Sequence, residues 1–252
     1  MTAGTLLLVP NTLDLGTEEV DLREVLAEGV IRSAAALQHW AAEDARSTRA
    51  FLKRVAAISP LSLPLQAIAI AELPRPRKGS REPVPATQWH ALLQPALDGH
   101  DLGLLSEAGL PAVADPGAAL VQAAHAAGVP VLPLPGASSL LLALAASGLN
   151  GQSFAFVGYL PQDGAARLTR LRELEVLSRR SAQTQLVIET PYRNAALLGA
   201  MCEALAPGTR VSVSCGLTLA GGWCRTDTVA GWRARPVEMP DRWPAVYALL
   251  AP

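Results

Sequence analysis

The sequence predicts an α/β protein of two domains, a parallel-sheet unit over 1–150 and a mixed-sheet unit over 151–252, and three observations lead there. Short, continuously apolar runs such as 5–9 and 102–105 alternate with helical patterns through the first half, as strands buried on both faces of a parallel sheet do. In the second half, 210–219 alternates through Val211, Val213, Cys215 and Leu217 before Gly221 and Gly222 turn the chain back, a hairpin pattern. With 252 residues, 50% of them hydrophobic and only 17% charged, the chain can bury a large core, which excludes a disordered protein.

Taken in order, 5–9 is the first strand, closed by Pro10, and 20–31 has helical spacing. A second strand, 39–42, runs straight into Glu43 and Asp44. Asp44 is suited to cap a helix whose apolar face is Phe51, Leu52, Val55 and Ala56, while Arg46, Arg49 and Lys53 recur about one turn apart as a basic stripe. From 59 to 85 prolines break every period around a basic run, Arg75-Pro76-Arg77-Lys78-Gly79-Ser80-Arg81. This predicts a surface loop, with wrapping of a phosphate backbone as the functional alternative. A helix over 87–97 then leads into the strand 102–105.

The following stretch, 106–117 (SEAGLPAVADPG), is the most informative in the chain. Gly109 and Gly117 permit unusual torsions and close backbone approach, Pro111 and Pro116 stiffen the loop, and Asp115 with Pro116 reads as the cap and first residue of a helix closed by Gly128 and Pro130. Ligands of open α/β sheets sit at the carboxyl ends of strands, so this loop is either a ligand cradle or a tight structural turn. A second such loop follows at once: strand 131–134, then Pro135, Gly136, Ala137, Ser138 and Ser139 leading into an apolar helix that ends near Gly148. The N–H groups of residues 137–139 are available to ligand oxygens, although capping is the commoner task of a serine there. Beyond 151 come a strand at 154–157 closed by Gly158-Tyr159-Leu160-Pro161, a polar helix over 165–180, and a strand at 184–189 turned by Thr190-Pro191-Tyr192-Arg193 into a further helix. The hairpin 210–219 and 223–229 and a last strand at 243–250 complete the pattern.

A net charge of −1 argues against nucleic-acid binding by a general electrostatic field and leaves room for a local basic patch. Cys202, Cys215 and Cys224 share no metal-ligand spacing and leave at least one thiol unpaired, which predicts a reduced, cytoplasmic setting; Cys215 and Cys224 could also face each other across the hairpin. The four histidines, His39, His90, His100 and His125, show no spacing for a metal or a triad, so no metal is expected. No signal peptide or membrane span is read, because 1–10 lacks a basic start and the apolar stretch 134–149 is interrupted by Pro135, Gly136 and Gly148. The nucleophile elbow of hydrolases and the dinucleotide glycine fingerprint are both absent from the sequence.

The ordered set AAEDARSTR (41–49), SEAGLPAVADPG (106–117), PLPGASSLLLALAASGL (133–149), FVGYLP (156–161) and IETPYR (188–193) resembles the tetrapyrrole methylase superfamily of S-adenosylmethionine-dependent methyltransferases. The nearest branch is that of the ribosomal small-subunit RNA cytidine 2'-O-methyltransferases, whose segments read roughly AAEDTR, SDAGTPLISDPG, PLPGPSALLAALSASGL, GFLP and YESPHR. The resemblance implies two α/β domains with the cofactor, S-adenosyl-L-methionine, folded between them, usually in a homodimer. It places cofactor contacts at Pro10, Asn11, Ser106, Glu107, Ala108, Gly109, Val113, Ala137, Ser138, Ser139, Tyr159 and Thr190. The first-strand loop departs from the branch's TPIGNLxD pattern, Glu107 and Leu110 replace an aspartate and a threonine, and 217–222 lacks the charged LTKxHE-like segment. The cofactor half is kept and the acceptor half is rewritten. RNA is the leading acceptor, with a tetrapyrrole or other small molecule and a non-catalytic cofactor-binding scaffold as alternatives.

Methyl transfer from a sulfonium is an in-line displacement that rests mainly on positioning, assisted by a base where the acceptor carries a proton. Glu43 and Asp44, at a strand end with Arg46 beside them, are the first candidates for that base, and Glu189 with Arg193 forms the second pair. Arg46, Arg49 and Arg193 are the candidate acceptor contacts. Each has a plainer role available: Asp44 as a helix cap, Glu43 and Arg46 as a local ion pair, and Arg193 as interface cover. Glu107 and Asp115 read as cofactor or loop residues.

Overall fold

The computed structural model describes residues 2–14, 20–76 and 82–252. By backbone contacts the chain divides into two compact units, Met1–Ser138 and Ser139–Pro252.

The first unit carries strands β1 (Leu6–Val9), β2 (His39–Ala42), β3 (Ala69–Glu72), β4 (Leu102–Leu105) and β5 (Val131–Pro133). They form one sheet in the order β3-β2-β4-β1-β5, with every pairing parallel. Its helices are α1 (Leu22–Val25), α2 (Glu28–Ala36), α3 (Ala45–Ala56), α4 (Ala86–Leu92), α5 (Gln94–Leu97) and α6 (Ala118–Ala126). Alternate side chains of the strands feed two cores. Leu7, Val9, Trp40 and Leu105 pack with α1, α2 and α3, whereas Leu6, Ala41, Leu102 and Leu104 pack with α4, α5 and α6. Strands β1 and β4 are neighbours, yet one hands its chain to the first face and the other to the opposite face. Such a reversal opens a crevice at the carboxyl ends of the two strands.

Four sequence expectations are corrected in this unit. The loop expected over 59–85 contains β3, a four-residue edge strand that owes its place to pairing with β2; proline-rich flanks and mostly exposed side chains hide it from any local pattern. Of the basic run, Arg77, Lys78, Gly79, Ser80 and Arg81 lie outside the described residues. The helix read over 20–31 is two helices separated by the extended Leu26. The one read over 87–97 breaks at Leu93, two residues before Pro95, which cannot donate to the carbonyl one turn back. Finally, Asp115 does not cap α6: the helix starts at Ala118 behind Gly117, whose φ of 128° no other residue adopts readily.

The second unit holds β6 (Phe154–Tyr159), β7 (Thr184–Glu189), β8 (Arg210–Cys215), β9 (Trp223–Thr228) and β10 (Ala245–Leu250), in the order β6-β7-β10-β8-β9. Only β6 and β7 run parallel, so the sheet is mixed. Around it lie α7 (Ser139–Ser147), α8 (Gly164–Ser181), α9 (Asn194–Ala204) and α10 (Val229–Ala234). The sequence boundary at 150/151 assigned α7 to the first unit. It joins the second because Leu140, Ala143 and Leu144 pack with Leu186, Val246 and Ala248 of that sheet. The short α10, capped by Thr228, was not foreseen at all. Cys215 pairs with Trp223 and Cys224 with Ser214 across the hairpin, so the two thiols do not oppose each other, and all three cysteines are free. Among the described residues no helix is long and apolar enough to cross a membrane.

Candidate functional site

Three loops meet at the carboxyl ends of β4, β1 and β5. The Asn11 amide donates to the carbonyls of Ser106 (3.2 Å) and Glu107 (2.9 Å), its backbone N–H donates to Gly109 (2.8 Å), and the Gly109 N–H returns to Thr12 (3.3 Å). Gly136 lies so close to Pro10 that a Cβ there would stand 2.2 Å from the proline ring. Gly109, at φ 66°, faces Leu13 and the Ala137 carbonyl. Small residues are therefore required where these loops touch. Further along, Ala112 (φ 65°) and Ala114 (φ 63°) occupy left-handed backbone that alanine adopts only at a cost, which concentrates strain in the 106–117 loop. The Ser106 hydroxyl is buried and has no hydrogen-bond partner among the described residues. A polar atom held in that state, beside backbone pulled close by small residues, fits a group that brings its own hydrogen-bonding atoms.

Beneath the first loop lies a buried ion pair that sequence reasoning missed. Arg54 contacts Asp14 at 2.9 Å and donates to the Val20 carbonyl at 2.7 Å, while the Thr12 hydroxyl donates to Asp14 at 2.6 Å. Asp14 lies within the first-strand loop, 10–24, that departs from the branch's pattern. Arg54 lay among the basic residues of the α3 segment with nothing local to mark it as buried.

Carboxylates gather beside the junction. The Glu43 N–H extends the ladder to the Leu105 carbonyl, and its side chain accepts the Glu107 N–H at 3.2 Å, tying the end of β2 to the loop after β4. Burial, followed by the charges of Glu43 and Glu107, pushes Asp115 up to about 6. The same kind of burial, with Glu43 and Asp44, raises Glu107, and Arg75 opposes the rise. Asp44 behaves differently: it accepts the Ser47 and Arg46 N–H groups as the α3 cap, and these bonds hold it below its ordinary value. Arg75 donates to the Glu43 carbonyl at 3.0 Å.

Two cavities flank this cluster. A polar one of about 600 Å³ is lined by Asn11, Thr12, Asp44, Arg46, Glu107 and Ala108, and a more apolar one of about 740 Å³ by Leu73, Pro74, Val84, Trp89 and the first turn of α6. Glu43 and Asp115 line both. The structure thus brings together Pro10, Asn11, Ser106, Glu107, Ala108, Gly109, Ala137, Glu43, Asp44 and Arg46. Val113 is half exposed on the same loop, and Ser138 is buried where the first unit ends. Arg49 points along α3 to the Ala45 carbonyl and lines neither cavity.

The remaining sequence candidates belong to the second unit. Glu189 is buried at the end of β7, accepts from the Thr190 N–H (2.7 Å) and hydroxyl (3.1 Å), and pairs with Arg193 at 3.3 Å. Arg193 donates in turn to the Thr190 hydroxyl at 3.1 Å. This knot shapes the turn into α9 and fully engages the carboxylate oxygen that faces it. Tyr159 is exposed at the end of β6, and Ser139 opens α7. The uncharged segment 217–222 forms tight turns closed by Leu219 N–H to Gly216 and Gly222 N–H to Leu219.

The family model for Tetrapyrrole (Corrin/Porphyrin) Methylases matches residues 25–223. A "Ribosomal RNA small subunit methyltransferase I" of Mesorhizobium japonicum is 41% identical over 131 residues, 52% of this chain and 43% of the relative. The protein of that name from Bacillus subtilis is 31% identical over 80% of this chain and 60% of its own length. The chain thus aligns with about half the length of these curated relatives. Among solved structures, the hypothetical protein APE0931 from Aeropyrum pernix K1 matches with a TM-score of 0.60 at 18% identity, covering 99% of this chain and 85% of that one. A uroporphyrin-III C-methyl transferase from Thermus thermophilus, complexed with S-adenyl homocysteine, matches at 0.53 and 20% identity over 98% and 97%. The likeness to these structures is one of fold, and the family model covers most of the chain, with strands of both sheets: the chain belongs to the tetrapyrrole (corrin/porphyrin) methylase family.

Proposed function

We propose that the protein is an S-adenosyl-L-methionine-dependent methyltransferase whose acceptor is RNA, modified at a ribose 2'-oxygen or a base. One observation carries the reading: in a chain of this family, the loops after β1, β4 and β5 close on one another through Asn11, Gly109 and Gly136, beside a Ser106 hydroxyl that has no partner among the described residues. Curated relatives named as ribosomal RNA methyltransferases favour RNA over other acceptors.

The cofactor supplies an electrophilic methyl on a sulfonium. The backbone of 106–109 and of 137 and 138, with Asn11, would hold it. Glu43 lines both cavities and is the proposed proton acceptor for the acceptor hydroxyl. Asp44 is committed to capping α3, which leaves its role one of positioning. Arg46, at the polar cavity, is proposed to meet the RNA backbone, with Arg49 and Arg193 as outer contacts. We read the protein as cytoplasmic, where ribosomal RNA is found, and as a homodimer after its family; light scattering at micromolar concentration tests the second point.

The decisive experiment has two parts. Calorimetry with S-adenosyl-L-methionine should show one saturable site per chain. Tritiated methyl should then enter small-subunit ribosomal RNA from a strain lacking the gene. Saturable binding with label appearing only in a small-molecule fraction would overturn the RNA acceptor, and absence of binding would overturn the whole reading.

A further inference from the structure

The larger cavity, about 740 Å³, has no task in the mechanism above. Its volume falls within the roughly 300–1,000 Å³ typical of small-ligand sites. Leu73, Pro74, Val84 and Trp89 make much of its wall apolar, Gln122 adds one amide, and Glu43 and Asp115 face both this cavity and the polar one. That lining suits a flat, largely apolar body whose hydrogen-bond donors meet the two carboxylates. Ionised carboxylates only accept, so they favour an amino-bearing edge and repel phosphate. Arg75, the one cation of this wall among the described residues, is held by its bond to the Glu43 carbonyl.

Resting on the RNA methyltransferase reading, we propose that this cavity seats the nucleobase of the acceptor nucleotide against Trp89, with Asp115 accepting hydrogen bonds from the base's amino edge. Enzymes that work on one nucleotide commonly swing its base into such a pocket between aromatic and apolar side chains. A base seated here brings its own ribose to the junction of the two cavities, where Glu43 lies. Uracil, which lacks an exocyclic amine, is the poor fit.

The test titrates cytidine, adenosine and uridine into the full-length protein by ligand-observed NMR and repeats the titrations with Ala118→Trp and Ala86→Trp. Both alanines line the cavity, and both are exposed on helix first turns, so the core is spared. Each filling variant should weaken cytidine binding about tenfold, comparable to losing one aromatic stacking contact. Uridine should bind the native protein about fivefold or more weakly than cytidine, a preference that Asp115→Asn removes, since one good base-edge pairing discriminates by at least that much. Unchanged cytidine affinity in both filling variants, or equal affinity for cytidine and uridine, overturns the assignment. So does uroporphyrin binding that the filling variants abolish when no nucleoside binds, which would mark a tetrapyrrole pocket. Cofactor affinity measured on the same samples separates this inference from the parent reading. Cofactor binding without nucleoside binding defeats the inference alone. Nucleoside binding that the filling variants abolish, with no methyl transferred to any RNA, defeats the parent reading and leaves the base pocket standing.

Discussion

The two sheets of this protein end in carboxylates that are treated in opposite ways. At the carboxyl ends of β2 and β4, burial and the nearby Glu43 charge raise the proton affinity of Glu107 and Asp115, and all three acids line open cavities. At the end of β7, Glu189 is folded into a knot with Thr190 and Arg193, and further acids of that unit are similarly engaged: Glu175 accepts the Ala206 N–H and the Thr209 hydroxyl, and Asp227 bridges Arg225 and Arg235. Satisfied carboxylates shape turns. Crowded ones beside open space are available to a ligand, and the difference separates working acids from architectural ones better than residue type does.

Exchanging Glu43→Gln and Glu189→Gln tests that contrast most severely. The first should lower methyl transfer by about 10²–10⁴-fold with little change in melting temperature, the range for a lost general base. The second should cost about 1–3 kcal/mol of stability by stripping acceptance from a buried hydrogen-bonded group, with activity per folded molecule kept. Activity assays paired with urea unfolding decide it, and matching profiles for the two variants would erase the distinction.

Arg54→Ala should show that even the working unit needs one satisfied acid. It takes the cation from Asp14, whose side chain is 1% exposed, and loss of about 3–5 kcal/mol is expected by denaturant unfolding. A change below about 1 kcal/mol would mean that other contacts of Asp14 carry the first loop.

The smallest effect is a matter of sign. Burial, then the charges of Glu43 and Glu107, push Asp115 up to about 6 from its ordinary 3.8, so its contribution to stability is fully present below 3.8 and is lost as pH rises through about 6. Asp44, depressed by its cap bonds, contributes in the opposite sense: its stabilisation is present above 3.8 and fades as the solution is acidified. Asp115→Asn should therefore raise the melting temperature at neutral pH and flatten its decline between about pH 4 and 6. An unchanged curve would remove Asp115 from the crowded cluster.

Much of the architecture was legible before any coordinates. The continuous apolar strands, the alternation of 210–219 and the small-residue loops led to a parallel sheet, a mixed sheet and the segments 106–113 and 137–139, because strand burial and backbone approach leave their mark on neighbouring residues. The edge strand β3 and helix α10 escaped because each depends on a partner distant in sequence or on a single capping hydroxyl. The cap of α6 was misread because a left-handed glycine, not the aspartate before it, starts the helix.

From the sequence alone came the fold class, the loops and the types of residue available for chemistry, all of which follow from periodicity and local sterics. Which acids crowd and which are paired was decided only by tertiary structure. Glu43 and Glu189 each lie at the end of an apolar strand with an arginine three or four residues on, and the strings do not separate them. Their openness and their hydrogen-bond partners depend on groups brought near from elsewhere in the chain, such as the Glu107 N–H that Glu43 accepts across 64 positions, and no local pattern encodes a contact of that kind.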